Sequence, residues 1–339
     1  MNFRAYGLLH LCEGNPDAGG NEKFNDFNDQ VNVYLNCAIT LSNSLRSKDV
    51  EFVLLTNSKF ELERAKPVGT ALRIEEIPFA TIVPDGTPFY SAHSKLDAFR
   101  YLSGLTESYV ALCDVDMVCL NDFPHCLSHI IRAGIPLCYD ISDQVIPAWG
   151  RDVVVRNLQL VHNCESEGRW YGGEFVAGPP AFFSTLAREC NRIYGNYIKN
   201  IDHISYVAKG DELTTSAALE MIRKGGTYVA DAGPLGIIGR FWNWETRHPQ
   251  RPLEYFQQGS LLHLPSDKRF LAGLSQEPTL TSCKFLSEYQ AYRHRHRQKR
   301  VRDVVRPFIP EKMLQWMRNR RHARRTRDRL RQANSIPAP

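Results

Sequence analysis

Short apolar runs alternate with segments of helical period through roughly the first 230 residues, and nothing else in the chain limits its fold as strongly. Residues 6–12, 52–56, 72–77, 109–113, 136–139, 174–177 and 227–230 read as strands. Between them, Tyr34, Ala38, Leu41 and Leu45 recur at helical spacing. Residues 94–102, 120–131, 185–197 and 211–222 also read as helices, the last stopped by Gly225 and Gly226. Such alternation predicts an α/β fold: a mostly parallel sheet with helices on both faces and ligands bound at the carboxyl ends of its strands. Residues 13–29, rich in Gly, Asn and Asp, predict a long loop, and the pattern loosens after Asp231. One body domain (residues 1–275) and a C-terminal tail (residues 276–339) are expected.

Composition narrows the class. With 43% apolar and 23% charged residues the chain can bury a core, which excludes wholesale disorder. No apolar run approaches the ~18 residues of a membrane-spanning helix. Residues 1–12 lack a signal-peptide pattern, so a cytoplasmic location is expected. The nine cysteines include no Cys-x-x-Cys pair, which predicts reduced core cysteines and neither a disulfide framework nor a zinc site.

The net charge of +5 hides an asymmetry. Residues 293–331 hold 16 Lys or Arg against 3 acids, whereas the rest of the chain holds 26 against 34. Val304, Val305, Phe308, Ile309, Met313, Leu314, Trp316 and Met317 are interleaved with these charges. An anionic membrane surface, a nucleic acid or solvent alone would each suit a basic helical tail. The apolar residues, Trp316 above all, favour peripheral attachment at the inner membrane face. No nucleic-acid-binding pattern occurs in the body.

The chemistry concentrates at Asp114-Val115-Asp116, directly after the apolar run 109–113. Both carboxylates leave the sheet at its carboxyl edge, where hard oxygen ligands can hold Mn²⁺ or Mg²⁺ and, through it, a diphosphate. An exposed acidic turn is the alternative. Lys95, at a helix start one element earlier, could contact phosphate or stand as an ordinary exposed lysine.

These parts, in this order, resemble the GT-A fold (Rossmann-like) nucleotide-sugar glycosyltransferases. The likeness is greatest to the retaining group of glycogenin and the bacterial lipopolysaccharide galactosyl- and glucosyltransferases. It spans residues 5 to about 272. Ser94-Lys95-Leu96 resembles that group's Ser-Lys-Leu helix, whose Lys contacts the donor, and residues 109–120 (YVALCDVDMVCL) resemble its Asp-x-Asp strand. Gly173-Glu174 lies where the group has an Asn-x-Gly segment lining the sugar pocket. Gly210-Asp211-Glu212-Leu213 lies where it has a Gly-Asp-Gln helix start facing the anomeric carbon. His263 lies where a late strand supplies a third metal ligand, and Lys268 follows at about the spacing of a phosphate-binding Lys. Glu174 in place of Asn, Glu212 in place of Gln, and the missing Gly of the His263 loop depart from the pattern and leave the stereochemistry open.

The resemblance implies a metal-dependent hexosyltransferase using a nucleotide-sugar donor and a lipid-linked or polysaccharide acceptor, as in lipopolysaccharide or capsule synthesis. Asp114, Asp116 and His263 would hold the cation, and Lys95, Lys268, Gly173 and Glu174 would line the donor. Asp211 and Glu212 are the catalytic candidates, because an oxocarbenium-like transition state is helped by a nearby carboxylate. Their other reading is an acidic first turn that the helix dipole favours. His263 reads equally as a core histidine satisfied by hydrogen bonds, and Trp242-Asn243-Trp244 as an acceptor platform or as core packing. Two rivals stand beside the transferase. One is a sugar-nucleotide pyrophosphorylase, whose Gly-rich basic signature is missing at residues 13–17; the other is a non-catalytic binding protein of the same fold.

Overall fold

The computed structural model describes residues 3–13, 24–66, 72–243, 246–277 and 280–305. The chain divides into two compact units, Met1–Leu286 and Ser287–Pro339. The expected loop core at residues 14–23, Trp244, and the tail from 306 lie outside the described residues.

Among the described residues, ten strands form two sheets: β1 (Arg4–Leu9), β2 (Glu51–Thr56), β3 (Arg73–Glu76), β4 (Val110–Cys113), β5 (Met117–Cys119), β6 (Leu137–Asp140), β7 (Tyr171–Gly178), β8 (Ala230–Asp231), β9 (Ile238–Arg240) and β10 (Leu261–His263). The large sheet has the order β3-β2-β1-β4-β7-β6-β8. Its pairings are parallel except for β7, which runs antiparallel to both β4 and β6. β4, a continuous apolar run, is buried along its whole length, and so is β7, which carries Glu174 among its apolar residues. The small sheet, β5-β10-β9, was not foreseen. Strands of three residues are too short to show a period of two.

The helices are α1 (Phe27–Arg46), α2 (Lys59–Ala65), α3 (Lys95–Ser103), α4 (His125–Arg132), α5 (Ser142–Trp149), α6 (Arg151–His162), α7 (Pro180–Lys199), α8 (Asp211–Lys224), α9 (Leu253–Phe256), α10 (Lys268–Gly273) and α11 (Ser282–Val305). α1 starts where the Asp26 carboxylate accepts the Asp29 amide, a side-chain N-cap. The helix expected from residue 120 begins only at His125, because Pro124 occupies its N-cap and restricts the residue before it. The strand expected at 227–230 shrinks to Ala230–Asp231, and that at 6–12 shifts to Arg4–Leu9. α5 and α6 were missed. They meet at Gly150, whose φ of 91° lets the chain turn between two short helices.

All nine cysteines are free; Cys37, Cys113, Cys119, Cys138 and Cys190 are buried in the core as expected, whereas Cys12, Cys126, Cys164 and Cys283 are not. Among the described residues no helix is long and apolar enough to cross a membrane.

Candidate functional site

The two sheets meet where β4 ends. The Asp114 amide donates to the Glu174 carbonyl on β7 (3.0 Å), and the Leu264 amide after β10 donates to the Asp116 carbonyl (3.0 Å). The Asp-Val-Asp segment is therefore latched on one side to the large sheet and on the other to the small one. β10 pairs His263 with Met117 on one flank and with Arg240 on the other. That register delivers the imidazole to the carboxylates. His263 Nε2 lies 3.2 Å from Asp116 Oδ1 and 4.0 Å from Asp114 Oδ2, and ligand atoms of all three residues fall within 4.8 Å of one another.

Two lysines close the cluster. Lys95, the first residue of α3, is buried, with Nζ 2.8 Å from Asp114 Oδ1, 3.0 Å from Asp211 Oδ2 and donating to the Gly173 carbonyl (2.9 Å). Lys268, the first residue of α10, places Nζ 2.7 Å from Asp116 Oδ2 and donates to the Pro265 carbonyl (2.6 Å). α10 is docked on α1, where Thr40 Oγ1 donates to the Leu271 carbonyl (2.8 Å). Gly173 is required by close approach: a Cβ there would sit 2.2 Å from Asp211 Oδ2 and 2.9 Å from Lys95 Nζ.

The remaining carboxylates belong to a buried network. Arg240, at the end of β9, donates to Glu174 through Nε and Nη2 (both 2.6 Å), a bidentate pair, and to Glu212 Oε1 (2.6 Å). Trp170 Nε1 donates to Glu212 Oε2 (2.8 Å). Glu174 also faces the second ring nitrogen of His263, with Oε1 3.5 Å from Nδ1.

Titration follows this arrangement. Burial alone would raise the Asp116 carboxyl, but Lys268 and His263 outweigh it and hold it far below the usual carboxylate range. Burial likewise opposes ionisation of Glu174, and Arg240 and His263 reverse the sign. Burial would lower His263, yet Asp116 and Glu174 push it up to about 9. Asp211 goes the other way: burial, only partly offset by Lys95 and reinforced by Glu212 and Asp114, raises it to about 6.

The residues fit a divalent cation. Neither nitrogen of the buried His263 completes a hydrogen bond, although carboxylate oxygens lie 3.2 and 3.5 Å away. A lone pair facing a carboxylate needs a proton or a metal ion between them. With the imidazole neutral, the five carboxylates Asp114, Asp116, Glu174, Asp211 and Glu212 pair, among the described residues, with the three cations Lys95, Lys268 and Arg240. The two negative charges left over match one divalent ion. Oxygen ligands plus one imidazole suit Mn²⁺ or Mg²⁺, and binding would displace the His263 proton.

All of these groups except Gly173 and Glu174, which lie behind, line one cavity of about 400 Å³. Aromatic residues from separate elements share it: Tyr34, Phe89, Trp149, Trp170, Trp242 and His248. Trp242 stacks on His248 with ring planes 9° apart. Every site residue expected from the sequence is thus placed at or directly behind the cavity. Arg240 and Trp170 were missed as site residues. The available signal was a lone Arg in the apolar run Ile237-Ile238-Gly239-Arg240-Phe241, since a buried guanidinium must find carboxylates.

No protein-family model and no curated protein sequence matches the chain. Solved structures do. One is described as the WbbM bifunctional glycosyltransferase in its apo form (TM-score 0.45, 10% identity), matched over 77% of this chain and 45% of that one. Another is the galactosyltransferase LgtC with donor and acceptor sugar analogues (TM-score 0.44, 11% identity), matched over 80% of this chain and 95% of that one. The chain thus spans less than half the length of the first.

Proposed function

We propose that the chain is a divalent-cation-dependent glycosyltransferase that moves a sugar from a nucleotide-sugar donor to a glycan or glycolipid acceptor, lipid-linked or polysaccharide, at the cytoplasmic face of a membrane. The observation that carries the reading is the meeting of Asp114, Asp116 and His263 with Lys95 and Lys268 in one cavity at the carboxyl end of β4.

Departure of a nucleoside diphosphate is slow unless the charge growing on its phosphates is stabilised. A bound Mn²⁺ or Mg²⁺ would supply Lewis acidity there. Asp114, Asp116 and His263 would hold the ion, with Glu174 fixing the His263 ring from its far side, as carboxylates behind metal-bound histidines do. Lys95 and Lys268 are anchored by backbone carbonyls, so their charge is in place before the donor arrives. Gly173 keeps the β7 wall thin enough for Asp211 to reach Lys95. Asp211 and Glu212, in the first turn of α8, put carboxylates at the cavity wall, where they would stabilise positive charge on a bound sugar. The aromatic wall of Trp149, Trp242 and His248 offers apolar faces to a sugar ring. The basic tail would add attraction to anionic lipids of about 1 kcal/mol per basic residue near the surface.

A thermal-shift panel of nucleoside diphosphates and nucleotide sugars, each with and without Mn²⁺, tests the reading. A ligand bound only by the folded state raises the midpoint. We expect a rise for one nucleotide family that requires Mn²⁺. A panel that stays flat throughout overturns the donor site.

A further inference from the structure

Arg240 touches neither lysine and neither aspartate of the Asp-x-Asp segment, yet it joins the two halves of the site. Its guanidinium spends Nε and Nη2 on the fully buried Glu174 and Nη2 again on Glu212, all at 2.6 Å. Glu174 stands 3.5 Å behind His263 Nδ1. Glu212 is pinned from its other oxygen by Trp170 Nε1 at 2.8 Å. The backbone enforces the same frame, because Arg240 and His263 are register partners on β9 and β10, and the Arg240 amide donates to Tyr139 OH (3.3 Å).

We propose that Arg240 is a positioning residue that locks the His263 ring, through Glu174, and the Glu212 carboxylate into one rigid frame. This deepens the cation-dependent reading above and rests on it. The physical case is geometric. A planar fork meets Glu174 and Glu212 in fixed directions, at 2.6 Å each, where a single ammonium cannot. With Arg240 in place, His263 keeps Nδ1 on the Glu174 side (3.5 Å) and Nε2 on the side of Asp116 and Asp114 (3.2 and 4.0 Å). Glu212 has both oxygens engaged, so its role is a fixed charge and a hydrogen-bond acceptor, and it is not free to swing onto carbon as a nucleophile.

Three proteins test this: wild type, R240K and the double variant E174Q/R240M. R240K keeps the charge that neutralises Glu174 and removes the fork. The double variant removes the buried pair together, so that neither charge is stranded should R240K fail to fold. The first readout is Mn²⁺ affinity without nucleotide, from the loss of the free aquo-ion EPR signal, on protein that still unfolds cooperatively. The second is the indole N–H resonance of Trp170, assigned by its disappearance in W170F. Wild type should bind Mn²⁺. Each folded variant should bind it about tenfold or more weakly, as for lost partners behind a metal-bound histidine, and should shift the Trp170 resonance. Wild-type binding with unchanged affinity and an unmoved resonance in the folded variants overturns the positioning role alone. A wild type that binds no Mn²⁺ overturns the cation-dependent reading and this proposal with it.

Discussion

Replacing Glu220 by Gln tests how α8, the helix that presents Asp211 and Glu212, is anchored. Glu220 is fully buried. Its carboxylate accepts from Ser166 Oγ (2.7 Å) and the Glu167 amide (2.8 Å), pairs with Lys224 Nζ (3.0 Å) and has His162 Nε2 at 3.6 Å. Burial would raise its pKa, but His162, Glu167, Ser166 and Lys224 together hold it at about 2, against an ordinary value of 4.5. Since the folded value lies below the unfolded one, the unfolded chain holds the proton more tightly. The stabilisation is therefore complete above about pH 4.5 and is lost as the pH falls through about 2. At ~1.4 kcal/mol per pKa unit the full shift corresponds to about 3 kcal/mol. Lys224 is one-third exposed, and screening of its share leaves about 2 kcal/mol. Urea unfolding of wild type and E220Q from pH 7 down to pH 2.5 should show the variant less stable by about that amount at pH 7, with the gap closing below pH 4.5. A gap that does not change with pH, or none at pH 7, would refute the claim that an ionised, multiply bonded Glu220 anchors α8.

Three further outcomes follow from the site and the tail. D116N should abolish any Mn²⁺-dependent thermal shift while the chain still unfolds cooperatively; an unchanged shift would remove Asp116 from the cation site. Gly173→Ala forces a Cβ to within 2.2 Å of Asp211 Oδ2, so it should break the Lys95–Asp211 pair and weaken nucleotide binding by about tenfold, roughly 1.4 kcal/mol; calorimetric titration giving wild-type affinity would show that the wall need not be thin. Deleting residues 293–339 should remove most binding to anionic vesicles and leave neutral vesicles unaffected, with the full chain's binding falling as salt rises; equal sedimentation of both forms with anionic vesicles would sink the membrane role.

Much of the site was legible because its residues sit beside strongly patterned elements. Asp114 and Asp116 follow a continuous apolar strand, and Lys95 and Asp211 open helices of clear period, whereas His263, Lys268, Gly173 and Glu174 were reached through the family resemblance. The small sheet was illegible, since β5, β9 and β10 have three residues each and no measurable alternation. α5 and α6 were missed because Pro147 inside the first and Gly150 between them interrupt the helical pattern, although tertiary packing carries both. The direction of β7 was also invisible, because its buried run carries no mark distinguishing a parallel from an antiparallel neighbour.

The α/β class, the place of Asp114-Val115-Asp116 at the end of an apolar strand, the lack of a Cys-x-x-Cys pair and the basic tail can be read without coordinates. All of these are written in local period, composition and charge order. That Arg240, 66 residues from Glu174, binds it across two sheets, and that Trp170 pins Glu212 from 42 residues away, emerges only on folding. The reason is physical. A side chain's helical or strand period is set by its neighbours in the chain, whereas the partner that neutralises a buried charge is whichever group the fold brings within hydrogen-bond reach.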